Sequence, residues 1–238
     1  MKNIKTLVIT TGLLVASSLV QANPITIDFK ALANINEYGV SLLGFDSAGN
    51  VTTNSSNTVL AITATNDSGS SYAYLDKGYA GLGVCGQITN SLQCNPSSDD
   101  NVSFHNGTPE TLHFAFNIDV IIEKIWFNNN HDGDRSLLND YVAINGTGMQ
   151  LTNGGTGLDS DLTLNHSLRA NEFFDVGFYK DQPCMDNNNL NNCEFYVSKI
   201  EYSIVASGSG SASVPEPTAL ALLGLGLFGA GVVRRRQK

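Results

Sequence analysis

Leu112-His113-Phe114-Ala115-Phe116 and, four residues on, Val120-Ile121-Ile122-Glu123-Lys124-Ile125-Trp126-Phe127 decide the fold class. The first run alternates apolar and polar or small residues, the period of a strand with one buried face. The second is rich in β-branched and aromatic residues and holds the single tryptophan of the chain. Working outward, Ile25, Ile27 and Phe29 alternate in Pro24–Phe29, and Val59–Ala64, Ser71–Leu75, Phe173–Tyr179 and Cys193–Val205 read as further strands. Asp140–Ile144 runs into Asn145-Gly146, the strongest short hairpin signal. Clusters of Asn, Gly, Asp and Ser separate these runs. Only Phe29 to Tyr38 suits a short helix, and no internal repeat is evident. Short strands between turn residues predict an all-β domain, a jelly-roll-like sandwich or barrel.

The two ends do not belong to that domain. Lys2 and Lys5 precede an apolar stretch from Leu7 to Leu19, and Val20-Gln21-Ala22 is a small-residue cleavage site. This is the pattern of a signal peptide over residues 1–22, cut after Ala22 by signal peptidase. At the other end, Val214-Pro215-Glu216-Pro217 precedes an uncharged apolar run from Thr218 to Val233, then Arg234, Arg235 and Arg236. The run is slightly short for a bilayer, and snorkelling arginines bring it close to a span. The arginines would stay cytoplasmic. Gly224, Gly226, Gly229 and Gly231 would let another membrane helix approach closely. The expected organisation is a signal peptide (1–22), a β-sandwich domain (23–207), a Gly/Ser linker (208–213) and a tail (214–238) with a transmembrane helix.

Charge and cysteines bound the function. The chain has 13 Lys+Arg and 22 Asp+Glu. The ends hold six of the bases and one of the acids, which leaves seven bases and 21 acids between them, a net charge of −14. Such a surface repels nucleic acid and suits divalent cations or neutral sugars. Four cysteines in an exported chain favour disulfides, with three possible connectivities. The local pairs Cys85–Cys94 and Cys184–Cys193 are favoured, because each closes a polar loop between strands. The nine-position spacing within each pair is longer than zinc-ligand spacings usually are.

Site chemistry centres on loop acids. Asp99, Asp100 and Asn101, with Glu110 at the start of the next strand, form one oxygen-rich cluster that would suit calcium. A second runs Asn130-His131-Asp132-Gly133-Asp134, with Asp140 further on. The Asp-x-Asp spacing of Asp132 and Asp134 can place two carboxylates on one side of a turn, though the pattern is not an EF-hand. Catalytic signals are weak. His105, His113, His131 and His166 are scattered, and neither a His-Glu-x-x-His pair nor a Gly-x-Ser-x-Gly elbow occurs. Plentiful carboxylates leave a glycosidase pair open. Tyr72, Tyr74, Tyr79, Trp126, Phe127 and Tyr179 are candidates for stacking on sugar rings. Trp126 and Phe127 are adjacent in a strand and so face opposite ways, which makes one of them core.

Over Ser213–Lys238 the chain resembles the PEP-CTERM proteins of Gram-negative bacteria, with Pro-Glu-Pro, apolar helix and arginine cluster in order. The resemblance implies processing by an exosortase and a destination at the cell surface or outside the cell, often with exopolysaccharide or biofilm matrix. Gly81-Leu82-Gly83-Val84, Asp99-Asp100-Asn101 and Glu110–Phe116 are similar in outline to many ectodomains of that family, which look like jelly-roll modules related to carbohydrate-binding or lectin-like domains. The expected function is a non-catalytic exported surface or matrix protein that binds carbohydrate or calcium. The alternative is a secreted polysaccharide hydrolase. Replacing Pro215, Glu216 and Pro217 by alanine should leave the protein in the inner membrane with its tail attached. Fractionation and immunoblotting check this, and normal-sized extracellular protein would contradict it.

Overall fold

In the computed structural model the alternation of Leu112–Phe116 becomes two faces of one strand. Leu112, Phe114 and Phe116 are buried, whereas His113 lies on the outer face with part of its ring in solvent. The structure describes residues 23–53, 55–66, 69–105, 108–129, 131, 136–155, 157–179 and 194–205. The expected signal peptide, linker, sorting tail and apolar run Thr218–Val233 lie outside them, as do Asn130, Asp132, Asp134, Cys184 and Cys193. The chain divides into two compact units, Met1–Ala206 and Ser207–Lys238, and every described residue belongs to the first.

In chain order the elements are β1 (Ile25–Asp28), α1 (Phe29–Ile35), β2 (Tyr38–Val40), β3 (Leu43–Phe45), β4 (Leu60–Asn66), β5 (Gly69–Asp76), β6 (Gly81–Cys85), β7 (Phe104–His105) and β8 (Thr108–Phe116). There follow β9 (Val120–Asn128), β10 (Tyr141–Ile144), β11 (Thr147–Gln150), β12 (Ser160–Leu168), β13 (Phe173–Phe178) and β14 (Tyr196–Ile204). The domain is all-β. Among the described residues α1 is the one helix, and no helix is long and apolar enough to cross a membrane. The Asp28 carboxylate caps α1 by accepting from Ala31 N at 2.9 Å, and Phe29 and Ala33 turn inward.

The strands form one continuous path, β11-β10-β13-β8-β4-β5-β6-β14-β9-β12, with β1 on β14, β2 on β5, β3 on β4 and β7 on β8. The path curls because β4 and β5 pair only at their shared tip, Ala64–Asn66 with Gly69–Ser71. Beyond the tip they part: β4 continues against β8 and β3, and β5 against β6 and β2. The curl brings Phe116 of β8 against Tyr202 of β14, ring centroids 4.9 Å apart, although they lie four strands apart along the path. Phe29 fills the hollow, edge-on to Phe45 at 5.8 Å and tilted against Phe114 at 6.4 Å. Aromatic pairs at such distances add to the large apolar area they bury.

Several local signals translate directly. Asn145 and Gly146 have φ of 48° and 75°, the left-handed pair of a type I′ turn, and set Ile144 opposite Thr147. Phe127 is core and Trp126 faces outward under the Lys124 ammonium, 4.8 Å from its ring. β12 is a strand that alternation does not announce. Its register on β9 shifts between Thr163 and His166, where Asn165 has φ 49°, so the period of two breaks in mid-strand.

Candidate functional site

The acidic site is built on a strand that lacks a side chain at one point. Gly83 of β6 lets the segment Asp99–Val102 pack its backbone directly against the strand. A Cβ on Gly83 would run into the Asp100 carbonyl oxygen and sit 2.8 Å from Asn101 Cα. One on Gly81, whose φ is 129°, would meet the Val197 carbonyl oxygen at 2.7 Å. Backbone bonds fix the segment: Val84 N donates to Asn101 O at 3.3 Å, and Val102 and Phe195 exchange bonds of 2.8 and 3.1 Å. The Cys85–Cys94 disulfide closes the intervening loop.

This seat buries the acids that follow Ser98. Asp99, Asp100, Asn101 and Glu110 are all under one-tenth exposed. Asp99 Oδ2 accepts from Gly86 N at 3.1 Å, and Asn101 Nδ2 donates to Glu194 Oε2 at 3.0 Å. Glu110 Oε2 accepts from Ser103 N at 3.0 Å and Ser103 Oγ at 3.1 Å. Burial, reinforced by the charges of Asp99 and Asp100, pushes the Glu110 carboxyl up to about 8 against the opposing bonds from Ser103.

The structure regroups the expected ligands. Asp100, from the first cluster, lies close to His131, from the second, and both lie close to Asp76, which the sequence reading passed over. The candidate ligand atoms of these three lie within 4.8 Å of one another. Among the described residues Asp99 and Glu110 belong to no such group with Asp100. Asp76 ends β5 and is buried there beside Tyr74 and Leu75. Its Oδ2 is 3.2 Å from His131 Nδ1. Burial and then the charge of Asp100 raise its pKa, while His131 and the Tyr196 hydroxyl oppose the rise. Tyr196 Oη donates to Asp100 Oδ1 at 2.8 Å, and the His131 ring stands edge-on to the Tyr196 ring. At the rim Glu37 accepts from Tyr74 Oη at 2.8 Å and pairs with Lys77.

A second constellation occupies the outer face of β4, β8 and β13. His113 Nδ1 lies 2.7 Å from Asp175 Oδ1, and His113 Nε2 lies 2.7 Å from Thr65 Oγ1. A cleft of about 290 Å³ beside them is lined by Pro109, Thr111, His113, Asp175, Phe178 and Tyr179 among others. Gly148 leaves the room in which the Tyr179 ring lies, since a Cβ there would be 2.7 Å from Tyr179 Cδ1. A larger hollow of about 470 Å³ beside β2 and β3 has no charged side chain in its lining.

The model of the PEP-CTERM protein-sorting motif matches residues 213–237. The chain carries a PEP-CTERM sorting motif. The PEP-CTERM motif is a recognition signal for exosortase, and it implies export and a surface or extracellular location. No curated protein and no solved structure matches the chain.

The raised Glu110 makes a pH prediction for the folded domain. Its folded pKa of about 8 lies above the ordinary 4.5, so the folded state holds a proton that the unfolded chain has lost. This group's contribution is fully present below about pH 4.5 and is lost as pH rises towards 8. Glu110→Gln keeps an acceptor for Ser103 and cannot ionise. The variant should match the parent near pH 4 and exceed its stability at pH 8 by on the order of a few kcal/mol. Urea unfolding at the two pH values checks this, and a pH-independent difference would contradict it.

Proposed function

We propose that this exported chain is a non-catalytic, exosortase-processed protein of the cell surface or extracellular matrix, linked to exopolysaccharide or biofilm. Signal peptidase removes residues 1–22, and the C-terminal helix holds the chain in the membrane until exosortase acts. The curled sheet is read as a jelly-roll-like sandwich that holds carbohydrate in the cleft beside His113 and Asp175. One observation carries the sugar assignment: the cleft sets an aromatic ring, Tyr179, beside a carboxylate, an imidazole and the Thr111 hydroxyl. Sugars are held by this combination, a flat apolar face with polar groups that fix hydroxyls. The other candidate aromatics fit less well. Tyr74 is buried, Tyr79 is 70% exposed, and Lys124 lies over Trp126.

A secreted hydrolase is the second reading, and the Thr65–His113–Asp175 chain favours it. A hydroxyl, a base and an orienting carboxylate in hydrogen-bond reach is the order that nucleophilic catalysis uses. That order suits ester groups on a polysaccharide better than its glycosidic bonds, which call for two accessible carboxyls. Glu110, whose raised pKa would suit a general acid, is 1% exposed and cannot reach a sugar. A panel of acetylated and plain bacterial polysaccharides separates the two readings. The proposal predicts binding that falls at least tenfold in Tyr179→Ala and in Asp175→Ala, with no release of acetate or reducing ends. Turnover abolished by Thr65→Ala would establish the hydrolase instead.

A further inference from the structure

Asp76, Asp100 and His131 reach one point from three separate segments: the end of β5, the segment seated on β6, and the residue three beyond β9. Two carboxylates buried this close together repel each other, and loop composition does not explain why they converge. The decisive atom is Asp76 Oδ2. Its side chain is 3% exposed, and the oxygen accepts no hydrogen bond despite lying 3.2 Å from His131 Nδ1. A buried carboxylate oxygen faced by a ring nitrogen that is not aligned to donate is poorly satisfied. The spacing without hydrogen-bond geometry is informative in itself. Two ligands held at 2.0–2.1 Å on a tetrahedral metal stand roughly 3.3 Å apart.

We propose that Asp76, Asp100 and His131 form a binding site for one divalent metal ion of borderline softness, zinc in type. The donor set selects the class. An imidazole with two carboxylates suits zinc, whereas calcium takes six to eight oxygens and gains little from a ring nitrogen. Supporting contacts are in place around the ligands. Tyr196 Oη holds Asp100 Oδ1 at 2.8 Å, and the Tyr196 ring braces His131 edge-on. Gly78, at φ 74°, turns the chain where a Cβ would sit 2.8 Å from His131 Cδ2, so the turn leaves the ring its space. His131 is 35% exposed, which gives the ion a way in and leaves a fourth position for water. The ion would pin three segments together, a structural role. It is independent of the sugar cleft, whose residues it does not touch.

The test uses the purified full chain, stripped with chelator, dialysed, and supplied with zinc, manganese or calcium. Bound metal per chain and the melting temperature are measured. One zinc per chain is expected, with melting raised by roughly 5–10 °C at a hundredfold excess over Kd, and a smaller rise for calcium. Asp76→Asn and His131→Gln should each lose the zinc and the shift. Both should remain folded, because the first removes a buried repulsion and the second changes a side chain at the rim. The zinc-free Asp76→Asn protein should melt no lower than the zinc-free parent. A parent that binds no zinc, zinc retained by either variant, or a calcium shift that matches zinc and survives His131→Gln would each overturn the proposal.

Discussion

Backbone contact between β6 and the segment Asp99–Val102 is the constraint on which the acidic end of the domain depends. Sheets normally cover their faces with side chains. Here Gly83 leaves that place open, and a second stretch of backbone fills it. The Val84–Asn101 bond and the Val102–Phe195 pair hold it there, so the segment is tied to β6 and to the residue just before β14. Because Asp99, Asp100 and Asn101 belong to that segment, the same contact that fixes their backbone also takes their side chains out of water.

The electrostatics follow from this seating. Asp100 is carried inward to meet Asp76 at the end of β5, and Asp99 and Asp100 together make it harder for Glu110 to ionise. The domain accepts the cost because each acid is tied to something: Gly86 N for Asp99, Tyr196 for Asp100, Ser103 for Glu110. The exception is Asp76 Oδ2. There the oxygen faces the His131 ring, 3.2 Å away, and this is where the proposed cation would bind.

Much of the fold was legible because alternation and turn chemistry are local. Leu112–Phe116, Val59–Ala64, the short helix after Asp28 and the Asn145-Gly146 hairpin each carry their signal within a few residues. β12 hid its signal behind the bulge at Asn165. The site was half legible. Asp99, Asp100, Asn101 and Glu110 stood out as neighbours along the chain, and so did His131 with the acids after it. Their partition into two clusters came from chain proximity. Space joins Asp100 to His131 through β6, β9 and β14, and adds Asp76, whose isolation among Tyr74, Leu75 and Lys77 gave no reason to single it out. The sorting motif was fully legible, because its recognition rests on a contiguous stretch of sequence rather than on a fold.

If the missing side chain at Gly83 of β6 is what seats the acidic segment, a single methyl group there should undo it. Thermal and urea unfolding of Gly83→Ala, beside Gly146→Ala as a control, measures this. A Cβ at Gly146 meets nothing within 4 Å, so that variant should lose only about 1–2 kcal/mol, for its positive φ. A Cβ at Gly83 collides with backbone that is hydrogen-bonded on both sides, so the account predicts a loss of roughly 3 kcal/mol or more, as in other overpacked cores. A Gly83→Ala protein as stable as the Gly146→Ala control would contradict it.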